Sequence, residues 1–397
     1  MSESCRKFPM RGKYLVRNRC LFLILFITDF FIKFATSLAP RRKIDLKKIE
    51  SILVCNGAHL GDVLLSSIIL PGVRKKFPFA KIGFLTGSWS SEVVNNSPYI
   101  DEVYYTDHWK LYRGGKSRLK SFLMYWSSFF SLANKIRKAH YSLALDLYFF
   151  YPNSSLLLWL SRVPFRIGYT SGGFGALYTH SLEWVDDKDH VVDYFKQLAT
   201  IIDVSVGAAD LKEFSASIQT PQNSKSLPCR YVVIHPGASL ISREWPISKW
   251  IELTEFFQAH NVQVVITGKG SHEMDISQKI IAETDWGINL VNQITIAELV
   301  SVIQGSSLMI GIESFAGHLA AGLNVPYVVL KTGITSQQWA PYGGSGVVLT
   351  NPLPCSPCYQ SNGCADMLCI KGIFVRDVID NSESYLKLYP TSVGGKS

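Results

Sequence analysis

From residue 50 onward, apolar positions follow two alternating rhythms. Short apolar runs, SILVC (51–55), KIGFLT (81–86), EVYYT (102–106), YSLALDLY (141–148) and FRIGYT (165–170), read as buried strands. Between them lie segments with helical spacing: VLLSSIILPGVRKKF after Asp62, a segment from about Ser88, and a long stretch over 117–139. A polar stretch, SIQTPQNSKSLP (217–228), reads as a linker. The alternation then restarts with RYVVIHPGAS (230–239), a helix in 247–260, VQVVITG (262–268) and a helix in 272–284. INLVN, a helix in 295–304, SLMIGIES and PYVVLKTG follow. The pattern is that of α/β folding around parallel sheets. It predicts two Rossmann-like doubly wound domains facing a cleft, over 49–216 and 229–376, with a final helix and tail over 377–397.

Residues 1–48 break this rhythm. They carry 12 Lys/Arg and 3 Asp/Glu, so they hold the whole net charge of +9, and the rest of the chain is neutral. The basic balance therefore belongs to an arm and not to a nucleic-acid-binding face. Within the arm, CLFLILFITDFFIKFATSLAP (20–40) is strongly apolar but interrupted by Asp29 and Lys33, in the acid-before-base order that supports a helix. Basic residues crowd both ends of the segment. This favours a helix lying on an anionic membrane surface over a spanning one.

Three strand-end loops of the second half carry candidate chemistry. HPGASLISREWPISKW (235–250) offers Gly237, Ala238 and Ser239 for close backbone approach to a phosphate, and Arg243 as a fixed positive charge. TGKGSHEMD (267–275) offers Glu273, either as a ribose acceptor or as a first-turn helix carboxylate. GIESFAGHLAAGLNVP (311–326) offers Glu313, Ser314 and His318. In the first half, NGAHLG (56–61) leads into Asp62, which is either a helix cap or a general base. Cys355, Cys358, Cys364 and Cys369 stand as C-x2-C-x5-C-x4-C, a spacing open to a structural zinc, to disulfides or to free thiols. There is no Walker A loop, and no D-x-D pair in these strand-end loops of the second half suggests a metal-held diphosphate.

Taken in order, these segments resemble glycosyltransferase family 9, the heptosyltransferases of lipopolysaccharide core synthesis. The resemblance runs from about residue 50 to residue 375. It rests on HLGDVLLSSIILPGVRKKFP, ALDLYFFYPNSSLLLWLSRVPFRIGY, DHVVDYFKQL, HPGAS with REWPISKW, IESFAGHLAAGLNVP and CSPCYQSNGCADMLCIKGI. It implies the GT-B fold and inverting, metal-independent transfer of heptose from ADP-heptose to a lipid-linked glycan acceptor. No cofactor is required beyond that donor.

By the same resemblance Asp62 is the general base, and His59, Gly61, Asp146 and Arg166 line the acceptor side. Arg243 binds the donor diphosphate, and His318 stands at the family's usual histidine. Glu313-Ser314-Phe315 departs from the family's Asp-Ser/Thr-Gly, placing a bulky ring where backbone amides approach the diphosphate. That departure keeps three alternatives open: another nucleotide sugar, a non-catalytic membrane-tethered binding relative, or an epimerase of the same fold. The implied place is the cytoplasmic face of a bacterial inner membrane.

Overall fold

A computed structural model describes residues 14–16, 18–36, 43–108, 118–185, 189–218, 226–238, 240–360 and 362–386. The chain divides into two units at Ile218 and Gln219.

The N-terminal unit holds strands β1 (Ser51–Cys55), β2 (Lys81–Thr86), β3 (Glu102–Tyr105), β4 (Leu143–Asp146), β5 (Phe165–Tyr169) and β6 (His180–Leu182). They form one parallel sheet in the order β3-β2-β1-β4-β5-β6. Its helices are α1 (Arg19–Thr36), α2 (Leu60–Ser66), α3 (Ile69–Lys76), α4 (Ser91–Val94), α5 (Arg118–Lys138), α6 (Ser155–Leu160), α7 (Val191–Thr200) and α8 (Ala208–Ser217). The steps β1→β2→β3 run one way across the sheet and β3→β4→β5 run the other. Right-handed crossovers therefore put α5 and α6 on the opposite face from α2 and α3. Under α5 and α6, Phe129, Ala133, Ile136, Leu157 and Leu158 pack on Leu53, Cys55, Leu85 and Ala144.

The C-terminal unit repeats the topology. Strands β7 (Tyr231–His235), β8 (Gln263–Ile266), β9 (Ile288–Asn289), β10 (Leu308–Ile312), β11 (Tyr327–Lys331) and β12 (Gly346–Thr350) order as β12-β11-β10-β7-β8-β9, all parallel. Helices α9 (Ile247–Ala259), α10 (Ser271–Thr284), α11 (Ile296–Gln304), α12 (Phe315–Gly322), α13 (Leu368–Lys371) and α14 (Val375–Leu386) complete the unit. Val378 and Leu386 of α14 enter the same core as Trp245, Trp250, Ile310 and Leu330. In each sheet the first strand lies beside the fourth. The crevice at that switch point, beyond the strand carboxyl ends, is where such sheets bind ligands.

Several expectations need correction. The first helix begins at Leu60, not Asp62, and it breaks after Ser66. Ser66 and Ser67 both donate their hydroxyls to the Val63 carbonyl, at 3.0 and 2.8 Å. Pro71, lacking an N–H, is accommodated only because it falls in the first turn of a new helix, α3. The segment from Ser88 is a 3-10 turn (Ser88–Ser90) and a single turn, α4, not a regular helix. Asp29 does not pair with Lys33. It turns inward and accepts from Tyr14 Oη at 2.7 Å, while Leu25 packs against Gly173. Helix α1 thus belongs to the N-terminal unit, and no helix among the described residues is long and apolar enough to cross a membrane. Residues 1–13, much of the linker and the tail after Leu386 lie outside the described residues.

Candidate functional site

In the C-terminal unit, the loops after β7 and β10 flank the switch point, where Gly311 pairs with His235 in the register. His235 bonds Thr267 Oγ1 at 3.0 Å, and burial pushes its pKa down to about 4, so the imidazole is neutral. Beyond it, Gly237 and Ala238 carry the chain to a 3-10 turn, Ile241–Arg243. Ser239 lies outside the described residues.

Trp245 fixes the far side of this loop. Its indole donates to the Ile373 carbonyl at 3.0 Å and its ring meets Trp250 edge-on, 5.1 Å between centroids. Glu244 accepts from Ala238 N–H at 3.3 Å and pairs with His272 at 2.8 Å, which raises the His272 pKa. Arg243, held between these anchors, has a buried Nε with no hydrogen-bond partner among the described residues.

The loop after β10 meets the same point. Ser314 is the N-cap of α12 with extended backbone, φ −154°, yet its side chain makes no capping bond and its Oγ is buried without a partner. The first-turn amides of α12 therefore have no side-chain cap, the arrangement that suits an anion. Phe315 enters the helix directly. Its backbone needs no glycine, because Ser314 makes the bend in an ordinary extended conformation. Glu273, in the first turn of α10, lies over three glycines: added Cβ atoms at Gly237, Gly268 and Gly270 would come within 2.2, 3.0 and 2.4 Å of its side chain. His318 is buried within α12.

Sequence reasoning missed Lys331, the last residue of β11. Its ammonium is wrapped by Glu313 Oε1 at 3.0 Å, the Thr335 carbonyl at 3.0 Å and Thr335 Oγ1. Thr335 Oγ1 also reaches both oxygens of Glu313, at 3.0 and 2.9 Å. Burial lowers the Lys331 pKa, its ion pair with Glu313 raises it, and the nearby Arg243 lowers it again. Lys331 and Glu313 pair with each other, and the charge of Arg243 is felt at Lys331 from the loop after β7. A lysine closing an otherwise apolar strand was the available signal.

In the N-terminal unit, the loop after β1 is braced from within. Asn56 Oδ1 accepts from Ala58 N–H at 3.0 Å, its amide donates to the Asp62 carbonyl at 3.2 Å, and Trp89 Nε1 donates to the Ala58 carbonyl at 2.7 Å. His59 is the N-cap of α2 and its ring stands 6.2 Å from that of Trp89. Gly61 and Asp62 are in the first turn. Asp62 is thus not the cap itself but the third helical residue, whose Oδ2 reaches back to His59 N–H at 3.2 Å. Its charge, with that of Asp146, reinforces the upward shift that burial imposes on Tyr148, in the loop after β4. The Asp62 carboxylate is thus near enough to Tyr148 to be felt there, beside the β1/β4 switch point.

Asp146, paired with Cys55 across that switch point, is wholly buried. Oδ1 accepts from Tyr148 N–H at 3.2 Å; Oδ2 accepts from Ser154 N–H at 2.6 Å and Tyr178 Oη at 2.7 Å. Burial raises its pKa to about 7 against those bonds. Enclosed in this way, Asp146 shapes the loop rather than presenting itself to a ligand. The Arg166 guanidinium donates to the Leu177 carbonyl at 2.7 Å and to that of Val163. Cys355, Cys358, Cys364 and Cys369 line one cavity of about 50 Å³ as free thiols. Among the described residues, no group of three or more His, Cys, Asp or Glu is arranged to hold a metal ion.

Comparison with known proteins agrees with this construction. A family profile described as Glycosyltransferase family 9 (heptosyltransferase) matches residues 129–367. Lipopolysaccharide heptosyltransferase 3 of Escherichia coli is 23% identical over 303 residues, 72% of this chain and 84% of its own length. Lipopolysaccharide heptosyltransferase 2 of Salmonella typhimurium is 23% identical over 325 residues, covering 76% and 85%. Among solved structures, a glycosyl transferase family 9 protein from Veillonella parvula aligns at TM-score 0.65 and 18% identity over 88% of this chain and 99% of its own. The E. coli heptosyltransferase WaaC with ADP aligns at TM-score 0.65 and 14% identity over 84% and 99%. With two parallel-sheet Rossmann-like units in the GT-B fold, the chain belongs to glycosyltransferase family 9.

Proposed function

We propose that this chain transfers heptose from ADP-heptose, with inversion and without a metal, to a lipid-linked acceptor of the lipopolysaccharide core. The observation that carries this reading is a pair of unsatisfied groups, Arg243 Nε and Ser314 Oγ. Both are buried, and the two lie on adjacent loops at a switch point. A diphosphate supplies the acceptor oxygens both groups lack. The relatives named above are lipopolysaccharide heptosyltransferases, and one similar structure was solved with ADP.

In this mechanism the C-terminal unit holds the donor through Gly237, Ala238, Arg243 and the first turn of α12, with Glu273 toward the ribose. Asp62 takes the proton of the acceptor hydroxyl as that oxygen bonds to the anomeric carbon. The bond from that carbon to the diphosphate oxygen breaks, and ADP leaves with its new charge held by Arg243. His59 and Gly61 border the acceptor. The enzyme works at the cytoplasmic face of the inner membrane, where its acceptor is embedded. A second reading, a donor other than ADP-heptose, is favoured by Phe315, which stands half-buried at the start of α12.

Thermal-shift titration with ADP, UDP, GDP, CMP and their sugars, repeated on Arg243→Ala, tests this. A stabilisation selective for ADP that is lost in the variant is expected. A selective response to UDP or GDP assigns the second reading.

A further inference from the structure

Helix α1 has one buried side and one bare one. Leu25 and Asp29 face the protein, four residues apart, and Tyr14 clasps the carboxylate. Leu23, Ile24, Phe26, Ile27, Phe30 and Phe31 cover the outward side, with Phe30 and Phe31 64% and 63% exposed. An apolar face left bare along this much of a helix is larger than a monomeric soluble surface usually carries and marks a surface that meets lipid or a partner.

A second bare stripe lies on α5. Phe129, Ala133 and Ile136 point into the core, whereas Leu119, Leu123 and Phe130, at helical spacing on one flank, do not; Leu119 is 69% and Phe130 63% exposed. Helix α5 packs on α6, α6 packs on the turn Gly175–Leu177, and α1 packs on that same turn. The three helices are therefore linked in a row through α6 and that turn. Trp159, on the outer side of α6, lies between the two stripes in this order and is also exposed.

We propose that α1, α6 and α5 form one footing that lies flat on an anionic lipid bilayer. Charge complementarity selects this occupant. Residues 1–48, which include α1, hold all nine net positive charges of the chain, and Lys120, Arg137 and Lys138 are exposed along α5. Anionic lipid attracts such a surface while the apolar side chains enter the headgroup boundary. The Asp29–Tyr14 clasp holds α1, about 27 Å long at 1.5 Å per residue, along the protein surface instead of across the membrane. The inference rests on the reading of a lipid-linked acceptor and adds where the protein meets that lipid.

Flotation of the full chain with vesicles of phosphatidylglycerol and phosphatidylethanolamine, against pure phosphatidylcholine, tests it. The wild type is expected to float with the anionic vesicles and to lose most binding on phosphatidylcholine. Phe30→Glu/Phe31→Glu on α1 and Leu123→Glu/Phe130→Glu on α5 should each lower partitioning by at least about tenfold. Hydrogen exchange on the wild type, which needs no variant, should show 118–130 protected when anionic vesicles are added. Wild-type partitioning by the α5 variant together with unprotected 118–130 would overturn the footing. So would no flotation, or a dimer by light scattering that either variant converts to monomer. ADP binding is measured on the same samples: its loss with flotation intact would count against the transferase reading alone.

Discussion

Lys331 Nζ stands 3.0 Å from Glu313 Oε1, in a position where the lysine is 1% exposed. The pair closes the strand next to the β7/β10 switch point and feels the charge of Arg243. Removing one partner of a buried pair leaves the other ionised without compensation, at a cost of about 3–5 kcal/mol. Lys331→Met should therefore lower the urea-denaturation free energy by about that amount. It should also weaken ADP binding, since Glu313 is left to compete for Arg243. The double variant Lys331→Met/Glu313→Gln removes both charges and should recover most of the stability. A double variant no better than the single one would refute the pairing as the cause.

Arg243→Ala tests the charge on the loop after β7. A hydrogen bond to a charged group contributes about 1.5–3 kcal/mol, so the ADP dissociation constant should rise by about 10- to 100-fold in calorimetric titration. The melting temperature without ligand should change little, because the buried Nε has no partner among the described residues to lose.

Asp62 does two things that separate by measurement. Its reach-back bond to His59 N–H supports the start of α2, and losing such a cap costs about 0.5–2 kcal/mol. Loss of a general base costs about 10²- to 10⁴-fold in rate. Asp62→Asn should thus melt slightly earlier, bind ADP as before and transfer sugar at least about a hundredfold more slowly. Unchanged transfer would leave Asp62 a cap and nothing more.

Asp146 and His235 impose opposite pH dependences on stability. The Asp146 pKa is raised from 3.8 to about 7 by burial, so between those values the native state binds more protons than the unfolded chain. Its contribution to stability falls as pH rises through that window and is flat above it. The His235 pKa is lowered from 6.5 to about 4, so its contribution rises with pH over that range. The two oppose each other below about pH 6.5. Asp146→Asn breaks bonds from Ser154 and Tyr178 and should be less stable throughout. Urea midpoints at pH 5 and 8 should nonetheless show a smaller fall, or a larger rise, with pH in the variant than in the wild type.

What the chain reveals before folding depends on how local each cause is. Ser51–Cys55, Lys81–Thr86 and Phe165–Tyr169 are mostly apolar runs paired with sheet neighbours on both sides, and their bounds are readable directly. His180–Leu182 is three residues long with two of them polar, too short to show a rhythm, and Gly346–Thr350 hides behind Gly343, Gly344 and Ser345. In the candidate site, Arg243 and Ser314 were legible because glycine-rich strand ends mark them. Lys331 was not, because its partner lies in the loop after another strand, 18 residues away. Asp29 was misread for the same reason: a neighbour four residues on suggested a helical pair, but the bond goes back to Tyr14.

The packing of Glu273 over Gly237, Gly268 and Gly270 orders the routes by which this pocket can change. A methyl group added at 237 would meet the Glu273 Cγ at 2.2 Å, close to its backbone, whereas one at 270 would meet the movable carboxylate end at 2.4 Å. Gly270 is further restricted by its φ of +132°. Shortening residue 273 would open room at 237 but not at 268, where the contact at 3.0 Å is with the Glu273 Cβ itself. A side chain at 237 therefore waits on a change at 273, whereas 268 stays closed by the backbone-proximal part of that residue whatever it becomes short of glycine.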